Sequence, residues 1–279
     1  MADINGKNSL NDLLPGVVAL ARDAGRAILR VYGEVDPSVE YKRDNSPLTQ
    51  ADMASHHVIV DGLAKLTPQW PVLSEESREI PFEQRRMWRR FWLVDPLDGT
   101  REFLKRNGEF TVNIALIEVD APILGVVYAP AIDKLYYGAH GAGAFKEEHG
   151  TVAPIRTAAP SPRKVRVVVS RSHGSGEESL DRFTGGAQCE FVPMGSSLKF
   201  CLVADGSADF YPRTGPTMEW DTAAAQCVVE QAGGTVSDLD GNAMTYNKPV
   251  LLNPGFVASA SGRHTAADTQ TIDSVSVPE

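Results

Sequence analysis

The chain has 279 residues, 42% of them hydrophobic, and its 36 acidic against 27 basic residues give a formal net charge of −9. This charge argues against nucleic acid polymers and anionic membranes as general partners, because both would repel the chain. Cys189, Cys201 and Cys227 lack the spacing of a zinc site or a disulfide framework. We find neither an export signal nor an apolar run of membrane-spanning length. We therefore expect a cytoplasmic protein, either free or peripheral to the inner membrane.

Two N-terminal helices are predicted from apolar residues that recur at helical spacing. The first covers residues 9–32 and ends near Gly33. The second begins within residues 45–52 and runs to about Leu66. Asp52 then lies in the first turns of the second helix, where its local context favours a carboxylate that complements the helix dipole.

Two aspartates three residues apart follow an apolar run in the middle of the first half. Residues 91–94 predict a buried strand that ends at Asp95, because the next residue is a proline and cannot donate to a sheet. Asp95 and Asp98 would then lie in a turn. Gly99 would relieve the backbone before a helix that begins near Thr100, whose free N–H groups could face an anion.

The rest of the first half predicts an antiparallel meander, so the fold class is α+β. Its strands are predicted over residues 110–119, 123–128, 134–138 and 143–146. A proline-rich stretch near 160–162 marks a boundary between an N-terminal α+β half (1–160) and a C-terminal α/β half (161–279). In the second half we predict a strand from residue 164, helices over 195–206 and 222–231, an extended segment over 208–211, and a poorly ordered tail from 263 to 279.

Four acidic residues stand at predicted strand or helix ends. Glu75, Asp95 and Asp98 each follow a strand, and neighbouring strands would bring the three carboxylates together, where their repulsion calls for cations. Magnesium takes hard oxygen ligands and usually retains waters, so it fits such a cluster. Asp221 stands at the entry to a helix, and its local context fits a helix N-cap and a metal ligand equally well.

These motifs together resemble the inositol monophosphatase superfamily of lithium-sensitive, magnesium-dependent phosphatases. The matching segments are 95–100, with Asp-Pro-Leu-Asp-Gly-Thr, the upstream pair Glu75-Glu76, Trp220-Asp221, and 232–234 with Ala-Gly-Gly. The match covers roughly residues 10–260, and separated motifs in the right order are far more specific than any one of them. The resemblance implies a layered αβαβα sandwich of the inositol monophosphatase/sugar phosphatase type.

Five further stretches are more similar to the bacterial 3'(2'),5'-bisphosphate nucleotidases of the CysQ type within that superfamily. They are residues 100–103, 107–113, 170–173, 195–200 and 211–213. This likeness implies a phosphoric monoester hydrolase that converts adenosine 3',5'-bisphosphate to AMP and phosphate and serves sulfate assimilation. Two alternatives stay open, an inositol or sugar monophosphatase of the same superfamily and a non-catalytic metal or nucleotide sensor. The sequence leaves a homodimer open as well.

The resemblance also implies two magnesium ions, with a looser third near Glu75. The implied ligands are Glu75, Asp95, the Leu97 carbonyl, Asp98 and Asp221. The first ion would use the first three ligands, and the second would use Asp95, Asp98 and Asp221. Glu219 departs from the often neutral residue before the Trp-Asp pair, which leaves the charge beside the second ion open.

Catalytic roles carried over from the family fall on Asp52, Glu75 and Thr100. A water activated by the first metal would attack phosphorus, and its proton would be drawn toward the Thr100 hydroxyl, which Asp52 polarises. The resemblance thereby assigns Asp52 a role that its local context does not suggest.

A bisphosphate nucleotide also needs a cationic seat for its second phosphate. Lys199 and Arg213 could provide that seat, and His173 could contact the base or the ribose, although Lys199 taken alone fits an ordinary surface lysine better. The predicted substrate-binding set is Gly99, Thr100, Ser170, His173, Gly195, Ser196, Ser197, Lys199 and Arg213.

Overall fold

The computed structural model describes residues 9–34, 47–159, 164–171 and 187–260. Two long helices come first, α1 (Leu10–Glu34) and α2 (Pro47–Leu66), and they confirm the helical periodicity of the sequence. Within these described ranges, no helix is long and apolar enough to cross a membrane. His173 and the predicted tail over 263–279 lie outside the described residues.

A seven-stranded sheet contains the predicted meander. Its strands are β1 (Val72–Ser74), β2 (Arg90–Asp98), β3 (Thr111–Glu118), β4 (Ala121–Ala129), β5 (Lys134–Ala139), β6 (Gly143–Glu148) and β7 (Thr151–Ile155). They follow one another across the sheet in chain order, with β1 parallel to β2 and every other pair antiparallel. Two short helices flank β2, namely α3 (Phe82–Arg85) and α4 (Thr100–Leu104).

The second sheet has five strands in the order β11-β12-β10-β8-β9. Its strands are β8 (Lys164–Ser170), β9 (Gln188–Met194), β10 (Phe210–Arg213), β11 (Thr235–Asp238) and β12 (Phe256–Ser259). The sheet is mixed, because β8 runs parallel to β9 and β10 while β12 runs antiparallel to β10 and β11. Helices α5 (Leu198–Ala204) and α6 (Glu219–Gln231) belong to this half.

The layers stack as helices, sheet, helices, sheet. Helices α1 and α2 pack on one face of the first sheet, while α5 and α6 lie between the sheets, with α6 against β2 to β6 and α5 against β8, β10 and β12. Each interface has an apolar core, as expected for amphipathic layers. The described residues therefore supply four layers of the predicted αβαβα sandwich. Because α6 packs on the first sheet, the two predicted halves share one core, and the division at 160 stays a prediction.

Candidate active site

An irregularity in strand β2 presents the two aspartates of the central motif. Strand β2 pairs with β3 as far as Asp95, opposite Asn113, and the pairing resumes at Asp98 opposite Thr111 with a shifted register. The prediction that the strand ends at Asp95 is therefore wrong. A β-bulge absorbs the proline, which has no N–H to donate, and lets the strand continue for three residues.

The four acidic residues of the predicted cluster line one cavity of about 250 Å³. Glu75 follows β1 directly, and its N–H donates to the Val94 carbonyl of β2 at 3.1 Å, so the two strand ends lie side by side. Asp221 reaches the cavity from the first turn of α6, where its carboxylate also accepts the Met218 N–H at 2.8 Å. Asp221 therefore caps the start of α6 and also belongs to the acidic cluster.

Burial and mutual repulsion make this cluster costly in its charged form. Burial raises the pKa of Asp95 well above its usual range, and the charges of Glu75 and Asp98 add to the increase. Burial, followed by the charge of Asp98, also raises the pKa of Asp221. Partial desolvation of its carboxyl group raises the pKa of Glu75, although the residue as a whole stays exposed at the cavity mouth. Such a cluster is relieved by protons or by cations.

The donor atoms of the cluster suit a hard divalent cation. In the described part of the chain, no three acidic, histidine or cysteine side chains form a ready-made site for one ion. Among the described residues, the hydrogen bonds to the side chains of Asp98 and Asp221 end on Oδ2 of each, which leaves Oδ1 available. Leu97 also lines the cavity, within the unpaired stretch of the bulge. Oxygen ligands of this kind, completed by water, are what magnesium prefers.

A tight turn at residues 195–197 holds Asp98 in place. Its Oδ2 accepts the Ser196 hydroxyl at 2.5 Å, the Ser197 hydroxyl at 2.7 Å and the Ser197 N–H at 2.7 Å. Asn113 donates to the Ser197 hydroxyl from below at 2.9 Å. The two serines, predicted to bind substrate, thus contact a predicted metal ligand, and their contact with substrate stays a prediction.

Glu109 is a residue that sequence reasoning left without a role. Its carboxylate accepts the Gly195 N–H at 2.8 Å and forms two hydrogen bonds with the Arg171 guanidinium, at 2.7 and 2.8 Å. It therefore ties the turn that holds Asp98 to the loop before β3. A tie between residues 86 positions apart leaves no local pattern by which the sequence could reveal it.

Gly99 and Thr100, which are predicted to bind the phosphate, also line the cavity. Gly99 adopts a φ of 96°, and α4 begins at Thr100, as predicted. An added Cβ at Gly99 would meet the Cβ of Ser196 at 3.1 Å in a backbone conformation that side chains rarely adopt, so glycine is required there. Asp52 is not among the residues that line the cavity, and burial, followed by the charges of Glu76 and Glu75, raises its pKa. The predicted polarisation of the Thr100 hydroxyl by Asp52 stays a prediction.

Lys199 is buried, with 8% of its surface exposed, so the interpretation as a surface lysine is wrong. Its Nζ donates to the Ser196 carbonyl at 2.6 Å and lies 5.5 Å from the centre of the Tyr211 ring. Burial lowers the pKa of Lys199, while the charge of Asp98 opposes that effect. Ser170 and Arg213 line the same cavity, so the structure brings the described members of the predicted substrate set to one place except Gly195, which is not part of the lining.

Comparison with known proteins shows the family to which the chain belongs. The model of the inositol monophosphatase family matches residues 9–276. The chain belongs to the inositol monophosphatase family. It is 51% identical over 247 residues to a 3'(2'),5'-bisphosphate nucleotidase CysQ of Salmonella typhimurium, covering 88% of this chain and 98% of that protein. It is 44% identical over 270 residues to a protein of the same name in Buchnera aphidicola, covering 93% of this chain and 100% of that protein.

Solved structures of the family agree with the fold. CysQ from Bacteroides thetaiotaomicron superposes with a TM-score of 0.78 at 40% identity, covering 89% of this chain and 97% of that one. An inositol monophosphatase from Anabaena superposes with a TM-score of 0.75 at 25% identity, covering 97% and 98%. The predicted membership of the superfamily and the layered sandwich are therefore confirmed.

Glu219, the residue that departs from the family pattern, does not add its charge to the cavity. It is fully buried, and its carboxylate accepts the backbone N–H groups of Asn247 at 2.6 Å and Lys248 at 3.0 Å. The Lys248 ammonium group completes the set at 2.7 Å. The charge beside the second predicted ion is thus neutralised within the protein.

Proposed function

We propose that this chain is a magnesium-dependent 3'(2'),5'-bisphosphate nucleotidase that hydrolyses adenosine 3',5'-bisphosphate to AMP and phosphate in the cytoplasm. The observation that carries the substrate assignment is the buried Lys199, which lines the same cavity as the acidic cluster. A buried cation beside a cluster of carboxylates suits a substrate with two separate phosphates better than one with a single phosphate. The identity of 51% with bacterial enzymes of that name supports the same assignment.

Magnesium is the expected cofactor, as in the family generally. In this proposal the ligands are Glu75, Asp95, the Leu97 carbonyl, Asp98 and Asp221, and they hold two or three ions. Bound magnesium would lower the pKa of water and neutralise charge on the phosphoryl oxygens. The raised pKa of Asp95 and the unused Oδ1 atoms of Asp98 and Asp221 support this ligand set.

Three residues would handle the proton and the phosphate. Burial, together with the charges of Glu76 and Glu75, raises the pKa of Asp52 to about 8, so this carboxyl group can hold or release a proton near neutral pH. In the proposal the Thr100 hydroxyl would accept the proton of the attacking water while it passes its own proton to the Asp52 carboxylate. The backbone N–H groups of Gly99 and Thr100 receive the phosphate that leaves the substrate.

The second phosphate would bind at the other end of the cavity. Lys199 donates to it as a buried, desolvated cation, and Arg213 contributes its partly exposed guanidinium group. Arg213 is held nearby by hydrogen bonds to the carbonyls of Gly215 at 3.3 Å and Pro216 at 3.4 Å. Both groups would favour substrates that carry the 5'-phosphate, and Lys199 more so, because the Ser196 carbonyl alone does not neutralise its buried charge.

A comparison of two substrates tests the proposal. The purified chain, with and without magnesium, is given adenosine 3',5'-bisphosphate or inositol 1-phosphate, and phosphate release is measured. We expect turnover of the nucleotide only with magnesium, and a strong preference for it. A preference for inositol 1-phosphate would favour the alternative within the family. Magnesium binding without turnover of either substrate would favour a sensor.

A further inference from the structure

A chain of partly buried polar contacts outside the cavity joins the first turn of α6 to the segment that follows Glu75. Asp221 enters from the first turn of α6, and Glu75 enters from the end of β1. We infer that Arg85, Asn247 and Glu219 form a polar bridge that positions Asp221 relative to Glu75 and thereby sets the affinity for magnesium. The inference rests on the proposed function, because it concerns the same ligands.

The first contact of the polar bridge holds the start of α6. Glu219 is two residues before Asp221 and is fully buried. Its carboxylate is bound by the N–H groups of Asn247 and Lys248 and by the Lys248 ammonium group. A buried carboxylate with three donors is firmly oriented, since loss of any donor leaves charge without compensation. The first turn of α6 is therefore tied to residues 247–248.

The second contact reaches the segment that follows Glu75. Arg85, in α3, is 3% exposed, and its guanidinium donates to Asn247 Oδ1 at 2.7 Å and to the Lys248 carbonyl at 3.2 Å. Asn247 returns a hydrogen bond from Nδ2 to the Arg85 carbonyl at 2.8 Å. Arg85 also donates to the Ile80 carbonyl at 2.9 Å. The segment from Ile80 to Arg85, which begins five residues after Glu75, is thus tied to the same two residues that hold the start of α6.

The backbone conformation of Asn247 allows a substitution that removes only its side chain from the bridge. Asn247 has a φ of 64°, a left-handed conformation that asparagine tolerates and glycine adopts freely. Its N–H donates to the Glu219 carboxylate and its side-chain amide donates to the Arg85 carbonyl, so this one residue connects Glu219 to Arg85. Replacement by glycine removes only the side-chain arm and keeps the backbone conformation.

The bridge residues are positioning residues, because none of them lines the cavity. They act on the distance and angle between two carboxylates that must share cations. Groups that orient metal ligands from behind typically change metal affinity about 10-fold to 100-fold when they are removed. A role in stability alone would lower the melting temperature and leave magnesium affinity unchanged.

The experiment measures magnesium binding by calorimetry on the metal-free full chain, well below its melting temperature. We expect Asn247→Gly and Glu219→Gln to weaken magnesium binding about 10-fold. Glu230→Gln is the matched control, because Glu230 is a half-buried glutamate on the same helix whose carboxylate accepts a hydrogen bond from Gln226. We expect this control to bind magnesium as the wild-type chain does.

A double variant and a comparison with the wild-type chain complete the test. If Glu219→Gln alone does not fold, the double variant Glu219→Gln/Lys248→Met leaves no unpaired buried charge and replaces it in the measurement. Folded variants that bind magnesium as tightly as wild type overturn the polar bridge and leave the proposed function intact. A wild-type chain that neither binds magnesium nor hydrolyses the nucleotide overturns the proposed function, and the bridge with it.

Discussion

The two aspartates of the central motif lie three residues apart but are held in opposite ways. Asp98 accepts three hydrogen bonds on one oxygen, from the hydroxyls and the backbone of the 196–197 turn. Asp95 accepts one from the Leu97 N–H at 3.0 Å, and burial together with the charge of its acidic neighbour Glu75 raises its pKa. The protein itself orients Asp98, whereas the buried carboxylate at Asp95 is left for a cation to neutralise. The difference teaches which residue should be sensitive to metal and which to the packing around it.

The largest expected effect comes from replacing Asp95, the aspartate whose charge is left for a cation to neutralise. We expect Asp95→Asn to reduce kcat/KM with magnesium by more than about 100-fold, the scale on which a site loses one charge-stabilising group. The metal-free variant should be as stable as wild type or more stable, because a buried carboxylate has gone and the amide oxygen can still accept the Leu97 N–H. Steady-state kinetics and thermal unfolding check this. Wild-type kinetics in the variant would refute the ligand assignment.

A somewhat smaller effect concerns substrate choice. We expect Lys199→Met to reduce kcat/KM for adenosine 3',5'-bisphosphate by about 10-fold to 100-fold, the scale of a hydrogen bond to a charged group. The effect on 3'-AMP, which has no 5'-phosphate, should be much smaller. The ratio of kcat/KM for the two nucleotides is the measurement. An equal loss with both nucleotides would mean that Lys199 acts through the Ser196 carbonyl and not on the second phosphate.

The next prediction tests how Asp98 is oriented by removing one of its hydrogen-bond donors. Ser197→Ala deletes the hydroxyl that bonds Asp98 and the Asp221 carbonyl, but keeps the N–H donor to Asp98. We expect kcat/KM to fall about 10-fold, the lower end of the range for groups that orient metal ligands. Ser207→Ala, a control in an exposed loop, should have no effect. Activity as in wild type would show that the backbone N–H alone orients Asp98.

The smallest expected effect lies at the outer edge of the same region. Arg171 is 41% exposed on its side chain, and its ion pair with Glu109 should contribute less than about 1 kcal/mol to stability. We therefore expect Arg171→Met to change the free energy of unfolding by less than about 1 kcal/mol. Chemical denaturation measures it. A larger loss would mean that the 195–197 turn depends on both ends of the Glu109 contact.

The comparison also explains which site residues could be found in the sequence. Glu75, Asp98 and Asp221 each stand where a strand ends or a helix begins, and Asp95 directly precedes the proline at the bulge, and local patterns reveal such places. Glu109 and Asn113 act on residues more than 80 positions away, and no local pattern reveals that. A polar residue inside the buried strand β3 is the one signal that could have drawn attention to Asn113.

The sequence by itself determined the main helices, the meander, the acidic cluster and the family, because periodicity and short motifs are local properties of the chain. The tertiary structure decided the end of β2, where pairing with β3 carries the strand through a bulge beyond its proline. It also decided the burial of Lys199, since α5 lies between two sheets. It also decided how the charge of Glu219 is compensated, because the partners of this carboxylate lie in a loop nearly thirty residues further along. Burial and charge compensation depend on what packs against a residue, and that partner is set by the fold.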